Sequence, residues 1–178
     1  MEKMIIGIYG RGGQGVITAA SILGDAVILE NPGEKKYIMI IPTYGPERAG
    51  GPVKVFVIIS NQPIQDRSSL RKPTHLVIFD KNLLSEAQND LEDNLKVKSI
   101  ILNCPQDEQE EIINFYQTVR EKNPRAVFLI IKEEAFLVTK EGGANLNIAM
   151  LEHFIKETEI VSLETLREAV LSHFGLKY

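Results

Sequence analysis

Apolar positions along the chain fall into two kinds of pattern, short continuous runs and spaced stripes. The first run, residues 4–9, is typical of a buried strand. It is followed by a stripe with steps of four, three and four residues, formed by Val16, Ala20, Leu23 and Val27. Such a stripe predicts a helix that lies on a sheet by one face. The chain therefore begins with a strand, a turn and a helix.

Later runs rich in β-branched residues continue the strand pattern. They cover residues 37–41, 53–59, 75–79, 99–103 and 126–131. The second and third runs leave no room for a crossover helix between them, so we expect an antiparallel excursion at one edge of the sheet. Helical patterns at 82–91 and 107–122 separate the runs that follow.

Beyond the last run the pattern is wholly helical. It predicts a short segment from Glu133 to Gly142–Gly143, a helix at 145–157, and a last helix that follows Ser162 as N-cap and ends at Gly175. The fold class is thus α/β, a Rossmann-like open, mostly parallel sheet with helices on both faces and a C-terminal helical segment. We expect residues 1–178 to form one domain.

Four glycines occupy the turn between the first strand and the first helix. They are Gly10, Gly12, Gly13 and Gly15, and three of them fit the spacing G-x-G-x-x-G. Backbone N–H groups without a neighbouring Cβ, next to the positive end of a helix dipole, favour an anion such as a phosphate. At Gly12 in particular we expect the missing side chain to leave room for that anion. The alternative is that the glycines only allow the helix to pack tightly on the sheet.

The remainder of a dinucleotide site is missing. An NAD site usually has an acidic residue at the end of the second strand to hold the ribose. Here that strand ends in Pro42-Thr43-Tyr44, which has no carboxylate. The sequence therefore disfavours NAD.

Two further features are expected at the carboxyl edge of the sheet, where ligands of such folds bind. Residues 42–52 contain three prolines and three glycines and are predicted to be a shaped loop. Asp80 follows the strand at 75–79 and either faces the site or caps the next helix, and we favour the cap.

Composition excludes several classes of function. The net charge is −4 and the lysines and arginines form no basic stripe, so nucleic acid is not an expected partner. No run approaches the roughly 20 apolar residues of a membrane span, and the N-terminus is not a secretion signal, so we expect a cytoplasmic protein that does not bind membranes. One cysteine, Cys104, cannot build an iron–sulfur cluster or a four-cysteine zinc site. The three histidines are widely spaced and are expected to be structural.

Three stretches, taken in order, carry a family resemblance. They are residues 10–16 followed by Ala19–Ala20, residues 44–47 leading to Gly50–Gly51, and Asn147 within 147–151. Together they resemble the gamma subunit of 2-oxoacid:ferredoxin oxidoreductases of the pyruvate, ketoisovalerate or 2-oxoglutarate type. The resemblance spans nearly the whole chain.

This resemblance implies a complex with alpha, beta and delta-type subunits. Such a complex decarboxylates a 2-oxoacid on thiamine diphosphate, passes electrons through iron–sulfur clusters to ferredoxin, and releases an acyl-coenzyme A. The resemblance implies that thiamine diphosphate and the clusters lie on partner subunits, and that coenzyme A binds at or near this one. The isolated chain is then expected to be inactive. The sequence agrees, since it has one cysteine and no Gly-Asp-Gly segment of a thiamine site.

The same resemblance implies a cofactor-binding set without catalytic residues or metal ligands. Its members are Gly10, Gly12, Gly13, Gln14, Gly15, Tyr44, Glu47 and Arg48. Gln14 could instead cap its own helix, and Tyr44 and Glu47 could fix their loop by internal bonds. Asn147 is expected to be structural, since buried amides usually bond backbone groups. A stand-alone Rossmann-like nucleotide-binding or sensing module also fits, because fold does not fix function.

Overall fold

In the part of the chain that the computed structural model describes, six strands form one sheet. They are β1 (Met4–Arg11), β2 (Tyr37–Tyr44), β3 (Pro52–Ser60), β4 (His75–Ile78), β5 (Ser99–Asn103) and β6 (Val127–Ile131). Their order is β2-β3-β1-β4-β5-β6. The structure describes residues 3–30, 32–44, 50–65, 72–91, 94–104, 110–132 and 146–175.

The sheet is parallel except for one strand. β1, β4, β5 and β6 run in parallel, whereas β3 is antiparallel to both of its neighbours, β1 and β2. The β2–β3 hairpin is thus the antiparallel excursion predicted at a sheet edge. β1 lies inside the sheet, between β3 and β4, and its apolar residues are correspondingly buried.

In the described ranges, five helices cover the sheet on both faces. They are α1 (Val16–Glu30), α2 (Leu84–Leu91), α3 (Glu110–Lys122), α4 (Leu146–Thr158) and α5 (Leu163–His173). A 3-10 turn, Lys81–Leu83, precedes α2. The Ser162 hydroxyl accepts a hydrogen bond from the Thr165 N–H at 3.1 Å, so the predicted N-cap of α5 is confirmed. The helical segment predicted from Glu133 to Gly143 lies outside the described residues.

The core consists of a main cluster on each side of the sheet. On one face α1, α4 and α5 pack over the alternating residues Ile6 and Ile8 of β1 and Val55 and Val57 of β3, and the predicted stripe of α1 is buried there. On the other face α2 and α3 pack over apolar residues of β4 and β5. The predicted α/β class with helices on both faces is confirmed.

One predicted boundary is wrong. Pro42, Thr43 and Tyr44 were expected to open a loop, but they continue β2 and pair with residues of β3. β2 is an edge strand, and an edge strand can tolerate a proline because its outer side needs no N–H donor. Of the predicted loop, residues 45–49 lie outside the described part of the chain.

Candidate functional site

The candidate site is the edge of the sheet at which β1, β4 and β5 end. The antiparallel hairpin brings the end of β2 and the start of β3 to the same edge, where Tyr44 pairs with Val53 and Val53 pairs with Gly10. The Phe79 N–H donates to the Tyr9 carbonyl at 2.8 Å. This bond extends the pairing of β1 with the β4 segment to the residue before Asp80. The glycine loop (residues 10–15), the start of β3 and Asp80 therefore meet. Of the loop predicted at the same edge, residues 42–44 and 50–52 are described and lie there, whereas residues 45–49 are outside the described part of the chain.

The glycines of the loop differ in what surrounds them. A Cβ on Gly10 would collide with the Val16 side chain, and one on Gly12 would lie 3.2 Å from the Gly50 nitrogen. A Cβ on Gly13 would meet no atom within 4 Å, and this residue has a φ of 95°, a left-handed conformation that favours glycine. Gly10 and Gly12 thus permit close packing, while Gly13 is open.

The expectation for Gly12 needs correction. Its missing side chain leaves room for the backbone of Gly50 and Gly51, and its N–H donates to the Gly51 carbonyl at 3.0 Å. Gly12 is not among the glycines with positive φ. A side chain there would therefore be disfavoured by steric contact with that backbone, and not by the conformation of Gly12 itself. Gly13 is the position at which an anion could approach.

The N–H groups of the loop are partly used within it. The Arg11 N–H donates to the Gln14 side-chain oxygen at 2.7 Å, and the Gln14 N–H donates to the Arg11 carbonyl at 3.0 Å. Gln14 therefore closes the turn, and its amide oxygen is already engaged. The N–H groups of Gly13, Gly15 and Val16 donate to no other described group. These donors, at the start of α1, can bind an anion.

The start of α4 lies against this loop. Asn147 is 5% exposed, and its Nδ2 donates to the Gly15 carbonyl at 3.4 Å. A Cβ on Gly15, whose φ is 74°, would collide with the Asn147 side chain. Asn147 thus has the structural role that was expected, and it brings the N-terminal ends of α1 and α4 together. Both helix dipoles place partial positive charge there.

An ion pair that the sequence analysis missed lies beside the loop. The Arg11 Nε donates to Asp80 Oδ2 at 2.7 Å. Asp80 Oδ1 accepts from the Asn82 N–H at 2.9 Å and from the Asn82 side chain at 2.8 Å. Asp80 is therefore both the predicted cap and a part of the site. The ion pair could have been predicted from the sequence, because an arginine ends one strand and an aspartate follows the adjacent strand.

The other predicted residues are placed as follows. Tyr44 is the last residue of β2, and 63% of its surface is exposed. It lies two strands away from Gly10, which is a distance of about 10 Å. It can line the entrance to the site but does not belong to the glycine loop. Glu47 and Arg48 lie outside the described residues.

A second polar cluster fixes the sheet below the site. The Tyr9 hydroxyl donates to Asp90 Oδ2 at 2.9 Å, and the Lys54 ammonium donates to the same oxygen at 2.6 Å. Burial, and to a smaller extent the Asp90 charge and hydrogen bond, raise the pKa of Tyr9 well above its usual value. This cluster joins β1, β3 and α2, and so supports the two strands that carry the site.

One other groove on the described surface fits an anionic ligand less well. A groove of about 570 Å³ between α2 and α3 is lined by residues that include Glu110 and Glu111, which repel an anion. Within the described ranges, no three His, Cys, Asp or Glu side chains are grouped so as to hold a metal ion. None of the described helices is long and apolar enough to cross a bilayer.

Comparison with known proteins gives consistent matches. Residues 5–178 match the family model described as pyruvate ferredoxin/flavodoxin oxidoreductase. A common gamma subunit of the pyruvate/ketoisovalerate oxidoreductases of Pyrococcus furiosus is 32% identical over 169 residues, which cover 94% of this chain and 84% of that protein. The pyruvate synthase subunit PorC of Methanocaldococcus jannaschii is 30% identical over 169 residues, 95% of this chain and 85% of that one.

Solved structures show the same fold. The pyruvate oxidoreductase subunit PORC of Thermotoga maritima superposes with a TM-score of 0.68 at 24% identity and covers 97% of this chain and 85% of that chain. A 2-oxoglutarate:ferredoxin oxidoreductase chain of Magnetococcus marinus, solved with 2-oxoglutarate, coenzyme A and succinyl-CoA bound, gives 0.60 at 18% identity. The match covers 98% of this chain but 27% of the Magnetococcus chain.

Proposed function

We propose that this chain binds coenzyme A and takes part in subunit assembly. It belongs to the pyruvate ferredoxin/flavodoxin oxidoreductase family and is a gamma subunit of a multi-subunit 2-oxoacid:ferredoxin oxidoreductase. In this proposal its partners are alpha, beta and delta-type subunits. Thiamine diphosphate and the iron–sulfur clusters reside on those partners, and the clusters pass electrons to ferredoxin. The chain alone has no redox activity.

The glycine loop is the proposed contact with coenzyme A. The observation that carries this proposal is the open backbone at Gly13, whose N–H lies with those of Gly15 and Val16 at the start of α1. Such donors suit a phosphate, and coenzyme A carries three phosphate groups. The Magnetococcus enzyme, which contains a region of this fold, was solved with coenzyme A, and this supports the same ligand class here.

The proposal separates two steps that can be measured independently. Decarboxylation and the first reduction of the clusters belong to the partner subunits, whereas transfer of the acyl group needs coenzyme A. A change at Gly13 should therefore weaken the second step and leave the first intact. Alanine at Gly13 requires a φ of 95° that L-residues rarely adopt, so the N–H donors of the loop must shift.

The test compares Gly13→Ala with wild type in the assembled complex. We expect single-turnover cluster reduction without coenzyme A to be unchanged, and the KM for coenzyme A in steady-state turnover to rise about tenfold, as for the loss of one hydrogen bond to a charged group. The matched control is Gly175→Ala, at a glycine after α5 that also has positive φ, 68°, and open space around it. Equal loss of both steps in Gly13→Ala would assign the loop to assembly, and unchanged kinetics would assign the glycines to packing alone.

The stand-alone nucleotide-binding module was the alternative function. Every relative described above is a subunit or a part of a larger oxidoreductase, and this favours the complex. Purification from the native cell tests the choice directly, since a lone monomer or homodimer would support the alternative.

A further inference from the structure

The side chain of Arg11 connects three segments at the site edge and is only partly used by them. Its Nε donates to Asp80 Oδ2 at 2.7 Å and its Nη1 donates to the Gly50 carbonyl at 3.4 Å. A guanidinium has five N–H donors in a planar fork. The described partners engage two of them, and 37% of the side chain remains exposed. Nε and Nη1 are therefore each held by one bond, whereas Nη2 donates to no described group and is available beside the glycine loop.

Asp80 is itself fixed in place. Its side chain is 15% exposed, and its second oxygen accepts two hydrogen bonds from Asn82 at the start of the 3-10 turn. A carboxylate anchored in this way sets the plane of the guanidinium that it binds. Since side-chain ordering costs free energy on binding, an arginine already held by Asp80 loses less on contact with a ligand.

We infer that Arg11 binds a phosphate group of the ligand through its Nη2, and that Asp80 is the positioning residue that holds it; this inference rests on the proposed function. The adjacent Gly13 N–H supplies a second donor to the same region. An arginine and backbone N–H groups together form short, charge-assisted hydrogen bonds to phosphate oxygens. Arg11 then makes the site selective for a thiol that carries phosphate.

A purely structural arginine would behave differently. If Arg11 only joined Asp80 to Gly50, breaking the pair from either side would disturb the phosphate-binding loop equally, so Arg11→Gln and Asp80→Asn would weaken coenzyme A to the same extent. If Arg11 binds phosphate itself, Arg11→Gln weakens coenzyme A more than Asp80→Asn does. Neither change affects pantetheine, which offers the same thiol without the nucleotide. The ratio of kcat/KM values for these two acyl acceptors, compared between the two variants, therefore separates the two roles.

The experiment measures both acceptors with the assembled complex. Arg11→Gln should lower kcat/KM for coenzyme A about ten- to hundredfold, as expected for charge-assisted hydrogen bonds, and leave the value for pantetheine unchanged. Arg11→Lys keeps the charge without the fork and should lose less. Asp80→Asn keeps one acceptor oxygen, and should lower the preference for coenzyme A less than Arg11→Gln does. The control is Arg125→Gln, an exposed arginine just before β6 and thus at the opposite edge of the sheet.

The outcomes separate this inference from the function on which it rests. A wild-type complex that uses both acceptors equally well would overturn both. A wild-type preference for coenzyme A that is abolished by Gly13→Ala but unchanged in Arg11→Gln and Arg11→Lys would overturn only the role of Arg11. Should Arg11→Gln fail to assemble, an unchanged preference in Arg11→Lys and Asp80→Asn would overturn that role equally.

Discussion

Arg11, Gly12 and Gly13 are consecutive residues with three different environments. The side chain of Arg11 reaches Asp80, the backbone of Gly12 packs on Gly50, and Gly13 faces open space. The sequence G-R-G-G predicts none of these distinctions, because the partners are 38 to 69 residues away and are fixed by strand pairing. What the sequence did predict was that the loop lies between a strand and a helix.

His75 is a second residue whose environment is informative. It lies at the start of β4 with 5% of its surface exposed, and its ring meets Phe154 of α4 edge to face with centroids 5.9 Å apart. Its Nδ1 is 2.9 Å from the Thr74 hydroxyl. Burial, with a smaller contribution from the charge of Lys98, lowers the pKa of His75 to about 4.

This shift makes stability depend on pH. A histidine of lowered pKa binds fewer protons in the folded state than in the unfolded state. Its contribution to the free energy of unfolding is therefore full above about pH 6.5 and is lost as the pH falls toward 4. The loss is on the order of 3 kcal/mol in the free energy of unfolding. Urea denaturation between pH 7.5 and 4.5 measures it. His75→Leu should show a shallower pH dependence than wild type, and the same slope in both would contradict the assignment.

Among the elements, the β2–β3 hairpin was predicted correctly in its antiparallel pairing, but the end of β2 was placed too early. Two apolar runs with no intervening helix require an antiparallel pair, and this was confirmed. The prediction ended β2 before Pro42 because the three prolines and three glycines of residues 42–52 favour a loop. The structure shows which of the two strands lies outermost: β2 is the edge strand, and its outer side is free of hydrogen-bonding demands, so it can include Pro42.

The end of β2 carries a testable consequence for assembly. Tyr44 exposes 63% of its surface at the site edge, and large exposed aromatic side chains are common centres of protein interfaces. We expect Tyr44→Ala to weaken association with the partner subunits at least fivefold, while the melting temperature of the free subunit stays unchanged. Sedimentation or titration of the purified subunits measures this.

The control for Tyr44 is Leu95→Ala, which truncates a residue that is 71% exposed. Leu95 precedes β5 and so lies toward the opposite edge of the sheet. Equal association of Tyr44→Ala and wild type would show that the interface lies elsewhere.

At the scale of the whole molecule, the chain is a gamma subunit of a 2-oxoacid:ferredoxin oxidoreductase, and our proposal places the redox chemistry on its partners. Its one cysteine cannot ligate an iron–sulfur cluster by itself. We therefore expect the purified subunit to be colourless and to show no oxidation of 2-oxoacids, with activity restored when the partners are added. Visible absorbance and iron analysis test this. A brown preparation with stoichiometric iron would contradict it.

The strand order also governs how the chain can fold during synthesis. β1 is the first strand in the sequence, yet its two neighbours are β3 and β4, and the β1–β4 pairing joins residues about 70 positions apart. At roughly 5–20 residues per second, the ribosome needs several seconds after making β1 before β4 emerges. During that interval β1, which is buried over residues 5–10 in the finished sheet, has no complete set of partners. The nascent chain is therefore most exposed to aggregation before its first half is finished.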